Sequence, residues 1–283
     1  VFKTHDHENA EWIPASGSPS KGPFTALWSR INGDGTLKLL DDAFVENLEL
    51  AVNSNITLDL NGHVLYGNSD DSSRSMFTVG NGHTFNIQDS GRPAQTNTTV
   101  NSVGRVSYHD RNTERRLVYY VEYPTDDRSQ TVIKEVSADI TGCGGINTTG
   151  YAAVIQASDN ADVKVTGGTY QSLCPFLKYD GSTIEISEAL IFNDFDVYGG
   201  IVSGNGTLSM KGTTMVGCSS ADSGGAMAVS GQTSVTDCTI TQCRSEADGG
   251  AIMQSSGSLT LSKSTICLNS GGGNGGGLRI MNG

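Results

Sequence analysis

A glycine phrase that returns every 25 or 26 residues limits this chain to a repetitive fold. It occurs as GGIV at 199, GGAM at 224, GGAI at 249 and GGGL at 275. Three of the four phrases are followed by a glycine-marked turn and an alternating run: TLSMKGTTMVGC (207–218), TSVTDCTITQC (233–243) and SLTLSKSTICLN (258–269). Alternation of period two indicates β-strands, and a fixed period of this length indicates stacked coils. We therefore predict a parallel β-helix, in which each coil buries its apolar face on the next.

The rest of the chain divides around this solenoid. Alternating segments run from residue 35 to 90 and again from 153 to 200, separated by glycine- and asparagine-rich turns. Residues 1–34 have no period and are predicted to form an N-terminal cap over the first coil. Within an insertion at about 92–150, the segments 115–124 and 131–140 are predicted to pair as a hairpin. The predicted fold is all-β: a right-handed parallel β-helix over 35–283 with an N-terminal cap and a β-hairpin insertion.

Composition excludes several classes of partner. The net charge is −12, yet residues 199–283 carry four acids and four bases, so the excess negative charge lies in residues 1–198. Because no basic stripe is present, nucleic acid is not an expected partner. No apolar run is long enough for a membrane helix, and no cofactor motif occurs. No secretory signal is visible and the chain starts at Val1, so we expect a mature or truncated product.

The insertion has the most varied chemistry and is the predicted ligand-binding region, because excursions from a regular scaffold commonly carry recognition. An aromatic strand beside arginines suits a carbohydrate or a host or cell-surface protein. The predicted contact residues are Tyr119, Tyr120, Tyr123, Arg115 and Arg116. The alternative is that the tyrosines pack the hairpin against the solenoid.

Candidate catalytic and metal-binding groups are sparse. A polysaccharide lyase or hydrolase needs converging carboxylates, and the candidates are Asp70 with Asp71, Asp126 with Asp127, and Asp194 with Asp196. The first two pairs lie in predicted turns, and the positions one coil after Asp194 and Asp196 hold no acid, so we predict no catalytic residue. The pair His5 and His7 lacks spaced partners for a metal site, and His63 and His83 are predicted to stack on adjacent coils.

Cysteines and asparagines offer two kinds of covalent chemistry. Cys218 and Cys243 are 25 residues apart, so they occupy equivalent places in successive coils. They form either a ladder of buried thiols or a disulfide, and the ladder is the preferred interpretation. Four sequons are N-glycosylation sites if the protein is secreted by a eukaryote: Asn55, Asn97, Asn147 and Asn205.

Two groups of motifs resemble known families. The phrases NITLDLNGHVL and FTVGNGHTFNIQDSG resemble the opening coils of large bacterial cell-surface proteins with pectate-lyase-like β-helices. GGAM, GGAI and GGGL, with ICLN before the last, resemble the GGA-(I/L/V) and F-x-x-N repeats of polymorphic outer-membrane adhesins. The resemblance implies a right-handed β-helix with an adhesive or structural role at a cell surface, and it transfers no catalytic residue.

Three functional hypotheses follow. The preferred one is a non-catalytic extracellular or cell-surface module, either an adhesin or a scaffold. The second is a subunit of an extracellular fibre that associates end to end with further copies, and the third is a polysaccharide lyase or hydrolase.

Overall fold

The computed structural model describes residues 2–5, 23–29, 31, 33–100, 107–111, 114–124, 131–193, 196–197 and 200–281. These residues form an all-β solenoid of about 8 turns in which successive turns pair in parallel. The predicted parallel β-helix is therefore confirmed. Its first elements are strand β1 (Phe2–His5) and one short helix, α1 (Pro23–Trp28).

The first three turns come before and around the insertion. Their strands are β2 (Gly35–Leu39), β3 (Ala43–Glu46), β4 (Leu50–Val52), β5 (Ile56–Asp59), β6 (Val64–Asn68), β7 (Ser75–Val79) and β8 (Thr84–Gln88). The insertion contributes β9 (Gln95–Val100), β10 (Ser107–Arg111), β11 (Glu114–Pro124) and β12 (Thr131–Asp139). The third turn then closes with β13 (Gly145–Thr149) and β14 (Ala153–Ala157).

The remaining turns contain short strands and four long strands of 10 or 11 residues, each of which bends from one face of its turn to another. They are β15 (Asp162–Thr166), β16 (Thr169–Ser172), β17 (Leu177–Ser187), β18 (Leu190–Phe192), β19 (Asp196–Val197), β20 (Val202–Lys211), β21 (Thr214–Val216), β22 (Ser219–Ser220), β23 (Met227–Thr236), β24 (Thr239–Thr241), β25 (Arg244–Ser245), β26 (Ile252–Ser262), β27 (Thr265–Cys267), β28 (Ser270–Gly271) and β29 (Leu278–Ile280). The bends in β17 and β23 contain Gly181 and Gly231, whose φ angles of 61° and 87° are rarely adopted by other residues.

Two long faces of the solenoid position the candidate site. Face A stacks β2, β5, β8 and β15 on the second halves of β17, β20, β23 and β26. Face B stacks β3, β6, β13, β16, β18, β21, β24 and β27. Alternate side chains of each strand point inward. Inward residues such as Leu58, Val163 and Ile240 are fully buried in one continuous apolar core.

The N-terminal elements cover the first turns. Strand β1 pairs antiparallel with β2, so the outer edge of the first face A strand has a hydrogen-bonding partner. Helix α1 buries Phe24, Leu27 and Trp28 in the same core cluster as the solenoid residues.

The predicted hairpin is confirmed and belongs to a larger sheet. Strands β11 and β12 pair antiparallel from Arg116↔Asp139 to Pro124↔Thr131. Two further strands extend the pair to the order β10-β11-β12-β9, which we call the insertion sheet. Its inner face packs Leu117, Tyr119 and Val136 against Leu190 and other outward residues of face B in the later turns. The sheet thus lies over turns that are far away in the sequence.

Candidate binding groove

A groove of about 370 Å³ lies between the insertion sheet and the solenoid. Its volume falls within the range of small-molecule binding sites. The insertion side contributes Arg92, Pro93, Ala94, Thr96 and Tyr119. The solenoid side includes Thr166, Gly167, Glu188, Leu190, Gly212 and Thr214. With Asp89 also in the lining, the groove combines apolar and aromatic side chains with hydroxyl groups, two carboxylates and one guanidinium.

The solenoid wall is shaped by one column of turn residues between faces A and B. Gly167, Glu188, Gly212 and Asp237 occupy successive turns with φ angles of 68°, 55°, 58° and 53°. Their backbone N–H groups bond to the next turn, for example Glu188 N to Lys211 O at 2.9 Å. Because Gly167 and Gly212 lack side chains, space is left on both sides of Glu188. A Cβ atom at position 212 would lie 3.7 Å from Glu188 Cγ and project into that space.

The floor of the groove is fixed by Asp89. Its Oδ1 accepts hydrogen bonds from the N–H groups of Gly62 at 2.8 Å and Gly91 at 2.9 Å, and its Oδ2 accepts one from Gly144 at 2.6 Å. The carboxylate thereby joins both ends of the insertion to the second turn of the solenoid. Since both oxygens accept backbone hydrogen bonds, Asp89 acts as a structural group.

Arg92, Glu188 and Asp89 supply the charges of the groove. Arg92 Nη2 lies 2.9 Å from Asp139 Oδ2. Hydrogen bonds from Thr141, with a contribution from Arg92, hold the pKa of Asp139 below its usual value. Glu188 is exposed at the rim. The described lining therefore holds two carboxylates and one guanidinium, a net charge of −1, and both kinds of group hydrogen-bond well to hydroxyl groups.

The five residues predicted to contact a ligand are not equivalent in the structure. Tyr119 and Tyr120 are buried, with 5% and 7% of their surfaces exposed. Tyr119 packs on the solenoid and also lines the groove, whereas Tyr120 Oη donates to Glu135 Oε2 at 3.1 Å. Arg116 is exposed, and the side chains of Arg115 and Tyr123 lie outside the described residues. Of the three whose side chains are described, Tyr119 lines the groove, whereas Tyr120 and Arg116 do not.

Strand β11 is held against the last turns by side chains of the solenoid. The Tyr120 N–H donates to Gln242 Oε1 at 2.7 Å, and the Tyr120 carbonyl accepts from Thr241 Oγ1 at 2.6 Å. The Glu122 N–H donates to Cys267 Sγ at 3.3 Å. The described pairing of β10 with β11 reaches only Val118, so these bonds satisfy backbone groups of β11 beyond the end of β10. They fix the insertion sheet, and with it one wall of the groove.

Of the predicted carboxylate pairs, the described one, Asp70 with Asp71, does not line this groove. Asp71 accepts hydrogen bonds from Ser73, which, together with the nearby Arg74, hold the pKa of Asp71 below its usual value. Asp70 is an exposed neighbour whose N–H donates to Asn47. Asp194 and the pair Asp126 and Asp127 lie outside the described residues, and Asp196 is described only by its backbone in β19.

The predicted histidine stack is wrong. His63 precedes β6, where its carbonyl accepts from Gly145 N, while His83 precedes β8, where its carbonyl accepts from Asp162 N. The two residues therefore lie at different corners of the solenoid, because the turns have unequal lengths here. His5 belongs to β1, and His7 lies outside the described residues.

The sequons lie at different kinds of position. Asn55 is exposed, but its Nδ2 donates to Asp34 Oδ2 at 3.0 Å and its Oδ1 accepts from Thr84 N at 2.9 Å. Asn147 Nδ2 donates to Gln171 Oε1 at 3.4 Å, and Asn205 is exposed in β20. Asn97 is described by its backbone in β9 only.

The two cysteines of the predicted ladder are adjacent in the core as free thiols. Val216 pairs with Thr241 and Ser219 with Arg244, so Cys218 and Cys243 occupy the same place in successive turns. Both are buried, and Cys243 Sγ donates to Thr241 O at 3.4 Å. Burial, with the neighbouring Cys243 thiol, raises the pKa of Cys218 well above its usual value.

We expect all six cysteines to resist alkylation in the folded protein, because all are buried and the thiolate is the reactive form. Iodoacetamide in denaturant without reductant should then add six carbamidomethyl groups, counted by intact-mass spectrometry. Addition of only four groups, with a cross-linked peptide containing Cys218 and Cys243, would instead establish the disulfide.

Metal-ligand clusters and membrane-spanning helices are both absent from the described residues. No cluster of three or more His, Cys, Asp or Glu side chains suited to a metal ion occurs among them. None of the helices in the described part of the chain has the length and apolar character needed to cross a membrane.

Comparisons with family models, with curated proteins and with solved structures each returned no match. The function is therefore argued from the geometry of the groove.

Sequence patterns alone did not reveal this groove. Arg92, Thr96, Glu188 and Gly212 are separated by up to 120 residues, and they meet only because the insertion sheet folds back over later turns. The available signal was weak: the column Gly167, Glu188, Gly212 and Asp237 alternates between residues with and without side chains.

Proposed function

We propose that this chain is a non-catalytic extracellular module of the adhesin type that binds neutral carbohydrate in the groove. The observation that carries the proposal is the lining of the groove, where the largely buried Tyr119 and Leu190 adjoin Glu188, Arg92 and several threonine side chains. Sugars present apolar C–H faces and several hydroxyl groups, which such a mixed surface can match. The resemblance to bacterial surface proteins with adhesive roles supports an extracellular location.

The groove favours binding over hydrolysis. Glycosidases use two carboxyl groups placed on either side of the scissile bond. Of the two carboxylates among the described lining residues, Asp89 is bonded through both oxygens to backbone N–H groups, which leaves Glu188 as the one at the rim. A fixed wall also suits binding, because preorganisation lowers the entropic cost of association.

The test is titration of the folded protein with cellobiose, xylobiose, mannobiose and lactose, with binding monitored by ligand-observed NMR. At least one disaccharide should bind, and Gly212→Asn should weaken that binding by about 10-fold or more because it places a side chain in the groove. Asparagine tolerates positive φ, so this substitution is compatible with the turn.

Asp237→Asn is the matched control, because residue 237 occupies the same column with φ 53° but does not line the groove. Its affinity should remain within about 2-fold of the wild-type value. No binding of any of the four disaccharides at ~10 mM, or equal loss in both variants, would overturn the proposal.

A further inference from the structure

A second surface lies on the outside of face B, on the N-terminal side of the turns that the insertion sheet covers. The outward column that ends at Phe192 passes through Phe44, Tyr66, Asn147 and Gln171 in the first four turns. We call these four residues the aromatic–amide strip. All four side chains are half-buried, in contrast to the fully buried residues that point into the solenoid.

The strip has two chemically distinct halves. The rings of Phe44 and Tyr66 stack at 4.9 Å between centroids, with an interplanar angle of 17°. The next two turns carry an amide pair, in which Asn147 Nδ2 donates to Gln171 Oε1 at 3.4 Å. Aromatic rings pack against the apolar faces of a ligand, whereas side-chain amides both donate and accept hydrogen bonds. A ligand that packed on the two partly exposed rings would bury their remaining apolar surface.

The strip and the groove adjoin one another. Thr169 lines the groove, and Gln171 follows two residues later on the same strand, β16, where both residues belong to the outward row. The four residues of the strip span three turn-to-turn steps, or about 14 Å along the solenoid at roughly 4.8 Å per step. A ligand that filled the groove and continued along the strip would therefore be a chain of several units.

We infer that the ligand is a neutral, extended β-1,4-linked glycan whose end occupies the groove and whose next units lie along the strip. This inference rests on the proposed function of the groove. In a straight β-1,4-linked chain, each sugar unit advances by nearly the rise of one turn of the solenoid. Sugars with equatorial hydroxyls also offer apolar faces to aromatic rings. Asp42, just before β3, and Glu46, at the end of β3, flank Phe44, so the strip disfavours acidic polysaccharides.

The experiment measures affinity as a function of chain length, with cello-oligosaccharides of two to six glucose units as probes. For the wild-type protein, affinity should rise by about 10-fold from the disaccharide to the hexasaccharide. Tyr66→Ala and Gln171→Ala should each remove most of this gain in affinity. The disaccharide affinity of both variants should stay within about 2-fold of the wild-type value. Using both variants separates a loss of binding from a loss of folding, since Gln171 is not part of the aromatic pair.

The controls distinguish failure of the strip from failure of the groove. Thr260→Ala, at an exposed outward position of face A, should change neither affinity. An affinity that is independent of chain length, or equal chain-length gains in wild type and both strip variants, would overturn the inference and leave the groove intact. Loss of disaccharide binding in Gly212→Asn with no effect of the strip variants would support the groove alone. Preference for oligomers of galacturonic acid would overturn the neutral-ligand assignment.

Discussion

Replacing Gly231 with alanine should lower the free energy of unfolding by about 3 kcal/mol or more. Gly231 has φ 87°, and a Cβ atom there would lie 2.2 Å from the carbonyl oxygen of Gly206 in the preceding turn. That oxygen belongs to the backbone, and Gly206 and Gly231 are paired within the β20–β23 ladder. Because the ladder continues on both sides, the clash can be relieved only by separating adjacent turns. Urea unfolding followed by circular dichroism measures the change as a lower midpoint.

Gly181→Ala is the matched control for this substitution. Gly181 also bends a long face A strand and has φ 61°, but nothing lies within 4 Å of the position that a Cβ atom would take there. It should therefore cost only the strain of a left-handed residue, about 1 kcal/mol. The difference between the two variants isolates the contact between turns. Equal losses in both would show that φ strain alone explains the glycine at position 231.

The glycine repeats made the solenoid predictable because they mark the same structural position in each turn. Gly224, Gly249 and Gly275 all have positive φ angles, and the N–H groups of Gly224 and Gly249 donate to the following turn. An alternating run between such turns has one way to bury its apolar residues, which is to stack in register. The period and the strand character were therefore both readable from the sequence.

The insertion was less predictable because only half of its sheet has an apolar pattern. Strands β11 and β12 alternate clearly, whereas β9 (QTNTTV) and β10 (SYHDR) are polar along most of their length. Their pairing depends on neighbours that are already in place, which is a tertiary effect. The docking of Tyr120 on Thr241 and Gln242 joins residues more than 120 positions apart, so no local pattern predicts it.

The aromatic–amide strip was hidden by unequal turn lengths. Phe44 and Tyr66 are 22 residues apart, whereas Tyr66 and Asn147 are separated by the whole insertion. The regular period of the later repeats cannot align these residues, and only the register of β3, β6 and β13 places them in one column. The same irregularity made the predicted stack of His63 and His83 wrong.

Replacing Trp28 with alanine should destabilise the N-terminal turns by about 3–5 kcal/mol, the usual cost of removing a large buried aromatic side chain. The ring centroid of Trp28 lies 5.2 Å from that of Phe77 and 6.0 Å from that of Phe85, and the side chain is 6% exposed. Its Nε1–H also donates to Ala51 O at 2.9 Å. Trp28→Phe retains most of the apolar contact and loses this hydrogen bond, so it should cost only about 1 kcal/mol.

Which turns lose stability in Trp28→Ala tests whether α1 caps the solenoid. In a solenoid each turn is stabilised mainly by its neighbours, so removing a cap should weaken the nearest turns most. Hydrogen exchange in Trp28→Ala should accelerate for amides of β5 and β8, while those of β20 and β23 keep their wild-type protection. Uniform acceleration along the chain would contradict a local cap and would mean that the solenoid unfolds as one cooperative unit. Acceleration confined to the first turns would show that α1 stabilises the end of the solenoid where Phe44 and Tyr66 lie, which links the cap to the proposed glycan strip.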